Sequence, residues 1–263
     1  MNARILVLLV VIMGLAVAGC TQAKQAWPAT IPEDALSSAG WAQQGNVSYQ
    51  GRDIDVAGIT VGINMALLSY VDTTLLQRLL EDAQHNASVL IDSEFSALPT
   101  STREQLKTRV RSTIQGAIPT GGAAGITTVR VVLPMGVSAP SSVMERLIDG
   151  VVQSFSGEIA GLRNLRKVSE ETFTTESGRQ AMMSIYEGTI ERGEMSINFK
   201  ILAAHWSDEG SSVVAVGYYP YGDVKVPIEL STGGITKKRT LTAASIDDNE
   251  MKEKVLSLMK KIR

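Results

Sequence analysis

Residues 195–206 read MSINFKILAAHW and residues 212–219 read SVVAVGYY, and the architecture can be read from these two stretches. In the first, Met195, Ile197, Phe199 and Ile201 alternate with Ser196, Asn198 and Lys200, the period of a strand with one buried face. Asp208-Glu209-Gly210 separates the two stretches with residues that favour turns. Upstream, Leu165–Thr174 and Arg179–Ile190 are further strand candidates. Glu176-Ser177-Gly178 divides them from each other, and Glu191-Arg192-Gly193-Glu194 precedes Met195. Four strands joined by short turns predict an antiparallel meander. Pro220 is expected to close its last strand, and the Gly- and Thr-rich residues beyond to form a loop.

The flanking segments supply helices and more sheet. Asp247, Asp248 and Glu250 at one end and Lys260, Lys261 and Arg263 at the other match the dipole of a C-terminal helix. Its face would be Met251, Val255, Leu258, Met259 and Ile262. Before the meander, Ser142-Val143-Met144-Glu145 has the pattern of a capping box. Met144, Leu147, Ile148, Val151, Val152 and Phe155 then form a stripe of helical period. Ile126–Leu133 is a β-branched run that predicts a buried strand. Nearer the start, Pro32–Ala39 reads as a short helix ended by Gly40. Ala42–Val56 and Thr60–Tyr70 form a long hairpin. Asp72 caps a helix carrying Leu75, Leu76, Leu79, Leu80 and Ala83.

Between hairpin and buried strand, residues 84–125 read as a helical excursion. Ser101-Thr102-Arg103-Glu104 resembles a capping box, Pro99 and Pro119 bracket the helix, and a Gly121-Gly122 loop follows. The excursion is expected to be peripheral. The predicted fold is therefore α+β: an antiparallel sheet of hairpin plus four-stranded meander, packed by helices, forming a single domain over residues 31–263.

The N-terminus points to compartment. Arg4 precedes an apolar run from Ile5 to Ala18, shorter than the about 20 residues of a membrane-spanning helix. The run ends in Val17-Ala18-Gly19-Cys20, small residues before a thiol, instead of a basic stop-transfer cluster. Cys20 is the chain's only cysteine. A lone cysteine in an exported protein needs an explanation, and lipidation of its sulfur supplies one. Residues 1–19 are read as a lipoprotein signal cleaved between Gly19 and Cys20, and residues 20–30 as a tether. The partner at Cys20 is membrane lipid, on the extracytoplasmic face of the cell membrane. Thr21 in place of Asp would favour the outer membrane in a two-membrane bacterium.

The remaining composition excludes more than it assigns. A formal charge of −2 argues against nucleic acid as partner, because phosphate binding needs clustered Lys and Arg. His85 and His205 are the two histidines and lie in different elements, so no metal or other cofactor is expected. No nucleophile elbow or zinc-protease motif occurs, and Ser257-Leu258-Met259-Lys260 stands without the companion motifs of serine acyl enzymes. No catalytic residue is assigned. Asn46-Val47-Ser48 and Asn86-Ala87-Ser88 are candidate glycosylation acceptors. Arg103, Lys107 and Arg111 form a basic stripe that could lie on anionic lipid.

The cysteine junction, Ile31-Pro32-Glu33-Asp34-Ala35-Leu36-Ser37-Ser38-Ala39-Gly40-Trp41, the hairpin ending at Tyr70, the helix with Phe155, Leu162-Arg163-Asn164-Leu165, and Val213-Val214-Ala215-Val216-Gly217-Tyr218-Tyr219-Pro220 form a set of short motifs. Together they resemble uncharacterised archaeal lipoproteins, a domain-of-unknown-function family of haloarchaea and related lineages. The resemblance covers residues 1–81 and 126–263, leaves out the excursion, and lacks the acidic surface of a halophile, which implies a non-halophilic host. The order of helix and meander is also similar to the PsbP-like fold. Neither resemblance implies an activity. The expected function is a non-enzymatic, lipid-anchored envelope module binding a protein, glycan or small ligand. The alternatives are an accessory subunit of a membrane complex and an extracellular enzyme with a dispersed site.

Overall fold

Alternation in β-strands and stripes in helices resolve into one sheet with helices on both faces. The computed structural model describes residues 25–56, 59–117, 123–134, 138–158, 161–192, 195–232 and 235–263. Among the described residues, α1 (Glu33–Ala39) precedes the hairpin β1 (Trp41–Val56) and β2 (Ile59–Asp72). Then come α2 (Leu75–Glu94), α3 (Thr100–Ala117), β3 (Gly125–Val132) and α4 (Ser141–Glu158). The meander is β4 (Leu162–Thr174), β5 (Gln180–Arg192), β6 (Met195–Asp208) and β7 (Ser211–Thr232). β8 (Ile235–Ile246) and α5 (Asp248–Met259) complete the chain. Every strand pairing is antiparallel, in the order β1-β2-β3-β7-β6-β5-β4, with β8 on β7. The fold is α+β, with a hairpin, a four-stranded meander and a helical excursion, as the sequence predicts.

β7 shows why its sequence is apolar without interruption. Val213 and Ala215 join one buried cluster, with residues of α1, α2, α3 and α5; Val214 and Val216 join the other, with α4. A strand covered on both faces has no solvent-facing set to make polar. Gly217 is where α5 comes nearest: a Cβ there would lie 2.4 Å from Val255 Cγ1 and 3.0 Å from Met259 Sδ. Only a glycine lets the helix backbone settle this close to the strand.

Four expectations need correction. Pro220 does not end the last strand. β7 continues for 22 residues, and its second half pairs with β8, from Gly222↔Ile246 to Thr232↔Ile235. On the same edge β3 pairs only as far as Gly125↔Tyr218, so Pro220 sits between two partners where no N–H is needed. The second correction concerns the excursion. α3 is not peripheral: Leu106, Val110 and Ile114 are buried in the main cluster with Leu79, Ala83 and Ile91 of α2 and Ala215 of β7. Third, α3 begins at Thr100 and α4 at Ser141, so Ser101 and Ser142 lie inside their helices instead of capping them. The carbonyls of Pro99 and Pro140 accept the first N–H groups.

The fourth correction is the tether. Residues 25–30 do not hang free but run down the seam between β2 and β3. Ala26 packs on Ala66 and Val132, and Trp27 lies with its ring centroid 5.0 Å from the Arg130 guanidinium carbon. The Thr128 hydroxyl donates to Ala29 O at 2.6 Å, and Thr30 exchanges two backbone hydrogen bonds with Arg263. Small residues at 26 and 29 are what allow a strand-like segment to lie flat on the sheet. Residues 1–24, with Gly19 and Cys20, the Gly121-Gly122 loop and the side chain of Phe155 lie outside the described part.

Candidate functional site

A polar cluster forms where the first turn of α5 crosses β6 and β7. Asp247 caps that helix by accepting the Glu250 N–H at 2.8 Å, which turns Asp248 toward the sheet. Lys200 of β6 donates to Asp248 Oδ2, lies 3.4 Å from Glu187 Oε1 on β5, and sits 4.5 Å from the Tyr221 ring centroid. The buried Tyr219 hydroxyl donates to Asp248 Oδ1 at 3.3 Å. Opposite charge and the positive end of the α5 dipole meet here on one carboxylate.

The electrostatics say what this cluster can do. Burial disfavours a charge on Lys200, yet its hydrogen bonds to Asp248 and Glu187 and their charges hold the amine above its ordinary value. Burial, and then the negative Asp248, push the Tyr219 phenol far above the tyrosine range. Both groups therefore keep their protons at neutral pH. Neither offers the free base or nucleophile that covalent or general-base catalysis requires. The cluster positions α5.

The same helix is fixed along its rim by further pairs. Lys252 donates to both carboxylate oxygens of Glu171 at 2.9 and 3.1 Å, and Lys254 donates to Asp72 Oδ2 at 2.6 Å. The Asp72 side chain is fully buried and its other oxygen accepts the Thr74 and Leu75 N–H groups; the N-cap position itself is Thr74, two residues later than the sequence predicts, and Asp72 serves the helix start from outside it. Burial raises its pKa, but the Lys254 bond and the cap bonds outweigh that and leave the carboxyl below its usual range. A carboxyl depressed in the folded state stabilises above its unfolded pKa, and the contribution is lost as pH falls through the folded value. Asp72→Asn is expected to cost about 1–3 kcal/mol at neutral pH and to flatten the acid limb of the stability curve. Thermal melts of both proteins from neutral to acid pH check this.

Beside the cluster, where β6 leaves β7, lies a shallow open cavity of about 360 Å³ lined by Ser196, Asn198, Asp223, Lys225, Pro227 and Thr240. Hydroxyl, amide and one opposite-charge pair, Lys225 to Asp223 at 3.8 Å, face it. A second, of about 310 Å³, runs along α2 between Leu76, Leu80 and Arg111. Among the described residues no group of three or more His, Cys, Asp or Glu side chains could hold a metal ion.

The residues singled out in the sequence fall as follows. Arg103 donates to Asp92 at 2.8 Å, Lys107 donates to Asp92 and Glu104 at 2.9 and 2.8 Å, and Arg111 donates to Gln84 at 3.3 Å. The basic stripe thus ties α3 to α2 instead of standing free for lipid. Asn46 is exposed beside Gly45 in β1. Asn86 is not freely presented: its amide nitrogen, the atom a glycan would occupy, donates to Ala243 O at 2.9 Å and joins α2 to β8. His205 is half-buried, and burial lowers its pKa against the pull of Glu145, so it is neutral. His85 is exposed on α2. The Ser257 hydroxyl is exposed and donates to Lys254 O at 2.9 Å within α5.

Sequence reading missed the Lys200–Asp248–Tyr219 cluster and the buried Arg130. The signals were a lone lysine inside an alternating strand and a lone arginine inside the apolar run Ile126–Leu133.

No curated protein and no solved structure matches the chain. A family model matches residues 28–263, and the match runs across residues 84–125, which the short-motif resemblance leaves out. That span includes the docked segment from Pro28 onward, the excursion and α5, and on it the chain belongs to the family described as domain of unknown function DUF6517.

Proposed function

We propose that this protein is a lipid-anchored, non-enzymatic binding module of the extracytoplasmic cell surface, of archaeal lipoprotein type. The observation that carries the reading is the apolar run Ile5–Ala18 ending in Gly19-Cys20, with no other cysteine in the chain. The docked segment from Ala26 supports it, because an anchor at Cys20 would then hold the domain close to the bilayer and not on a long leash. The binding role rests on the cavity beside Lys225, whose lining suits a small polar ligand.

Mass spectrometry of protein extracted from its native membrane tests the anchor. The expected N-terminus is Cys20 carrying diacylglyceryl. An unmodified chain beginning at Met1 would falsify the reading. Cys20→Ser is expected to leave uncleaved precursor or to release the domain from the membrane.

A further inference from the structure

Both ladders of β7 slip at one place. Against β6 the register runs Asn198↔Tyr221 and then Ser196↔Lys225, so two β6 steps stand against four of β7. Against β8 it runs Val224↔Ala244 and then Lys225↔Thr242, one β7 step against two of β8. Gly222 takes the bend with φ 76, and a Cβ there would stand 3.2 Å from Asn198 Nδ2. Bulges of this kind re-aim side chains and are over-represented beside active sites. Here they part β6 from β7 around the cavity of about 360 Å³, whose lining residues all belong to strands. A site carried by strands holds its geometry better than one carried by loops.

Three of the lining residues both donate and accept hydrogen bonds: the Ser196 and Thr240 hydroxyls and the Asn198 amide. All three are exposed and have no side-chain partner among the described residues. On the same row Thr189, the β5 partner of Asn198, has its hydroxyl oxygen buried without a partner. Charge around the cavity is balanced. An anion near Lys225 meets the Asp223 carboxylate 3.8 Å away, and a cation near Asp223 meets the Lys225 ammonium. The next strands repeat the balance, with Glu191 opposite Ser196 and Arg163 opposite Thr189.

We propose that this cavity binds an uncharged saccharide unit. This deepens the binding reading above, rests on it, and does not depend on the anchor. A ligand with net charge is opposed from one side or the other, which is discrimination by an unfavourable contact. A zwitterion would have to break the Lys225–Asp223 pair in order to use it. Neighbouring ring hydroxyls do not: they donate to the Asp223 carboxylate and the Asn198 carbonyl, and accept from Lys225 and the Asn198 amide nitrogen. The Pro227 ring supplies an apolar wall for the C–H face of the sugar.

The test uses full-length protein extracted from its membrane in a detergent without a sugar headgroup. It is applied to an array of neutral oligosaccharides, with uronic-acid and amino-sugar analogues beside them, and is titrated separately with free amino acids. Neutral oligosaccharides are expected to be retained, and their charged analogues several-fold less. Asn198→Ala and Thr240→Val, each with the wild-type melt, should bind about three- to tenfold more weakly, the loss of one hydrogen bond. Ser196→Ala replaces either variant that does not fold. Competition by free monosaccharides would mark a soluble sugar as the ligand, and competition by oligosaccharides alone a glycan chain; both carry the proposal. Preference for charged analogues or amino acids, lost in the same variants, overturns the saccharide and leaves the cavity as a binding site. Binding of any probe that ignores the variants, or no binding at all, overturns the saccharide and the binding reading together.

Discussion

Replacing residues 99–122 with a short Gly/Ser linker is expected to abolish cooperative folding. α3 supplies Leu106, Val110 and Ile114 to the main core, each at most 8% exposed. Each such side chain contributes about 1.5–3 kcal/mol by burial. Its loss would also uncover Leu79, Leu80, Ala83, Ala87 and Ile91 along α2. Domain stability is typically about 5–15 kcal/mol, so losses of this size remove most of it. Circular dichroism should retain strand signal while the thermal melt loses its sigmoid. The single substitution Ile114→Ala is expected to cost about 2–5 kcal/mol, with the melt still cooperative. A deletion variant melting like wild type would show that α2 alone closes this face.

The reason this was not legible in the sequence is instructive. Leu106, Val110 and Ile114 do lie on one helical face, but the same helix carries Arg103, Lys107, Arg109 and Arg111. A narrow apolar stripe amid basic residues fits a solvated helix as well as a docked one. What settles it is Asp92 on α2, whose carboxylate pairs with Arg103 and Lys107 across the helix interface. That contact lies in tertiary structure, and no period in the sequence encodes it. The proline brackets mark a connection between helices and say nothing of where the helices lie.

Elsewhere, legibility follows how local the governing physics is. The meander was readable because turns at 176–178 and 208–210 are made by neighbouring residues, and Gly178 and Gly210 have positive φ as such turns need. The Gly40 cap, with φ 71, is equally local. β8 was not readable. Its residues 236–240 are Thr-Lys-Lys-Arg-Thr, without strand alternation, and Pro220 and Pro227 argue against a long β7. Strand identity there comes from the partner: β8 occupies the edge of β7 that β3 vacates and is covered by α2, with Asn86 and Glu94 reaching Ala243 and Arg239. The polar cluster was hidden for a related reason. Asp248 reads as a dipole residue of α5, and only the fold brings Lys200, Glu187 and Tyr219 to it.

Asp208→Ala is expected to destabilise the domain by about 3–5 kcal/mol, because it strands a buried cation. Arg130 stands on β3 with 2% of its surface exposed, between Ala66 and Val213. Its Nη1 donates to Asp208 Oδ2 at 2.7 Å and to the Ser211 hydroxyl at 2.8 Å, while Trp27 covers the guanidinium. Removing the carboxylate leaves the guanidinium with a hydroxyl and an aromatic face, neither of which neutralises it. Arg179, 3.4 Å from the other Asp208 oxygen and 43% exposed, can turn to water and adds little to the loss. The cost should therefore depend on Arg130 being charged. In the double variant Asp208→Ala with Arg130→Met no charge remains to strand, and an apolar side chain of similar reach fills the site. Replacement of a buried pair by apolar residues is often neutral or better, so most of the lost stability should return. Urea unfolding of the two single variants and the double variant gives the coupling directly. Equal midpoints for Asp208→Ala and wild type would mean that the packing of Trp27, and not the ion pair, holds Arg130 in the sheet.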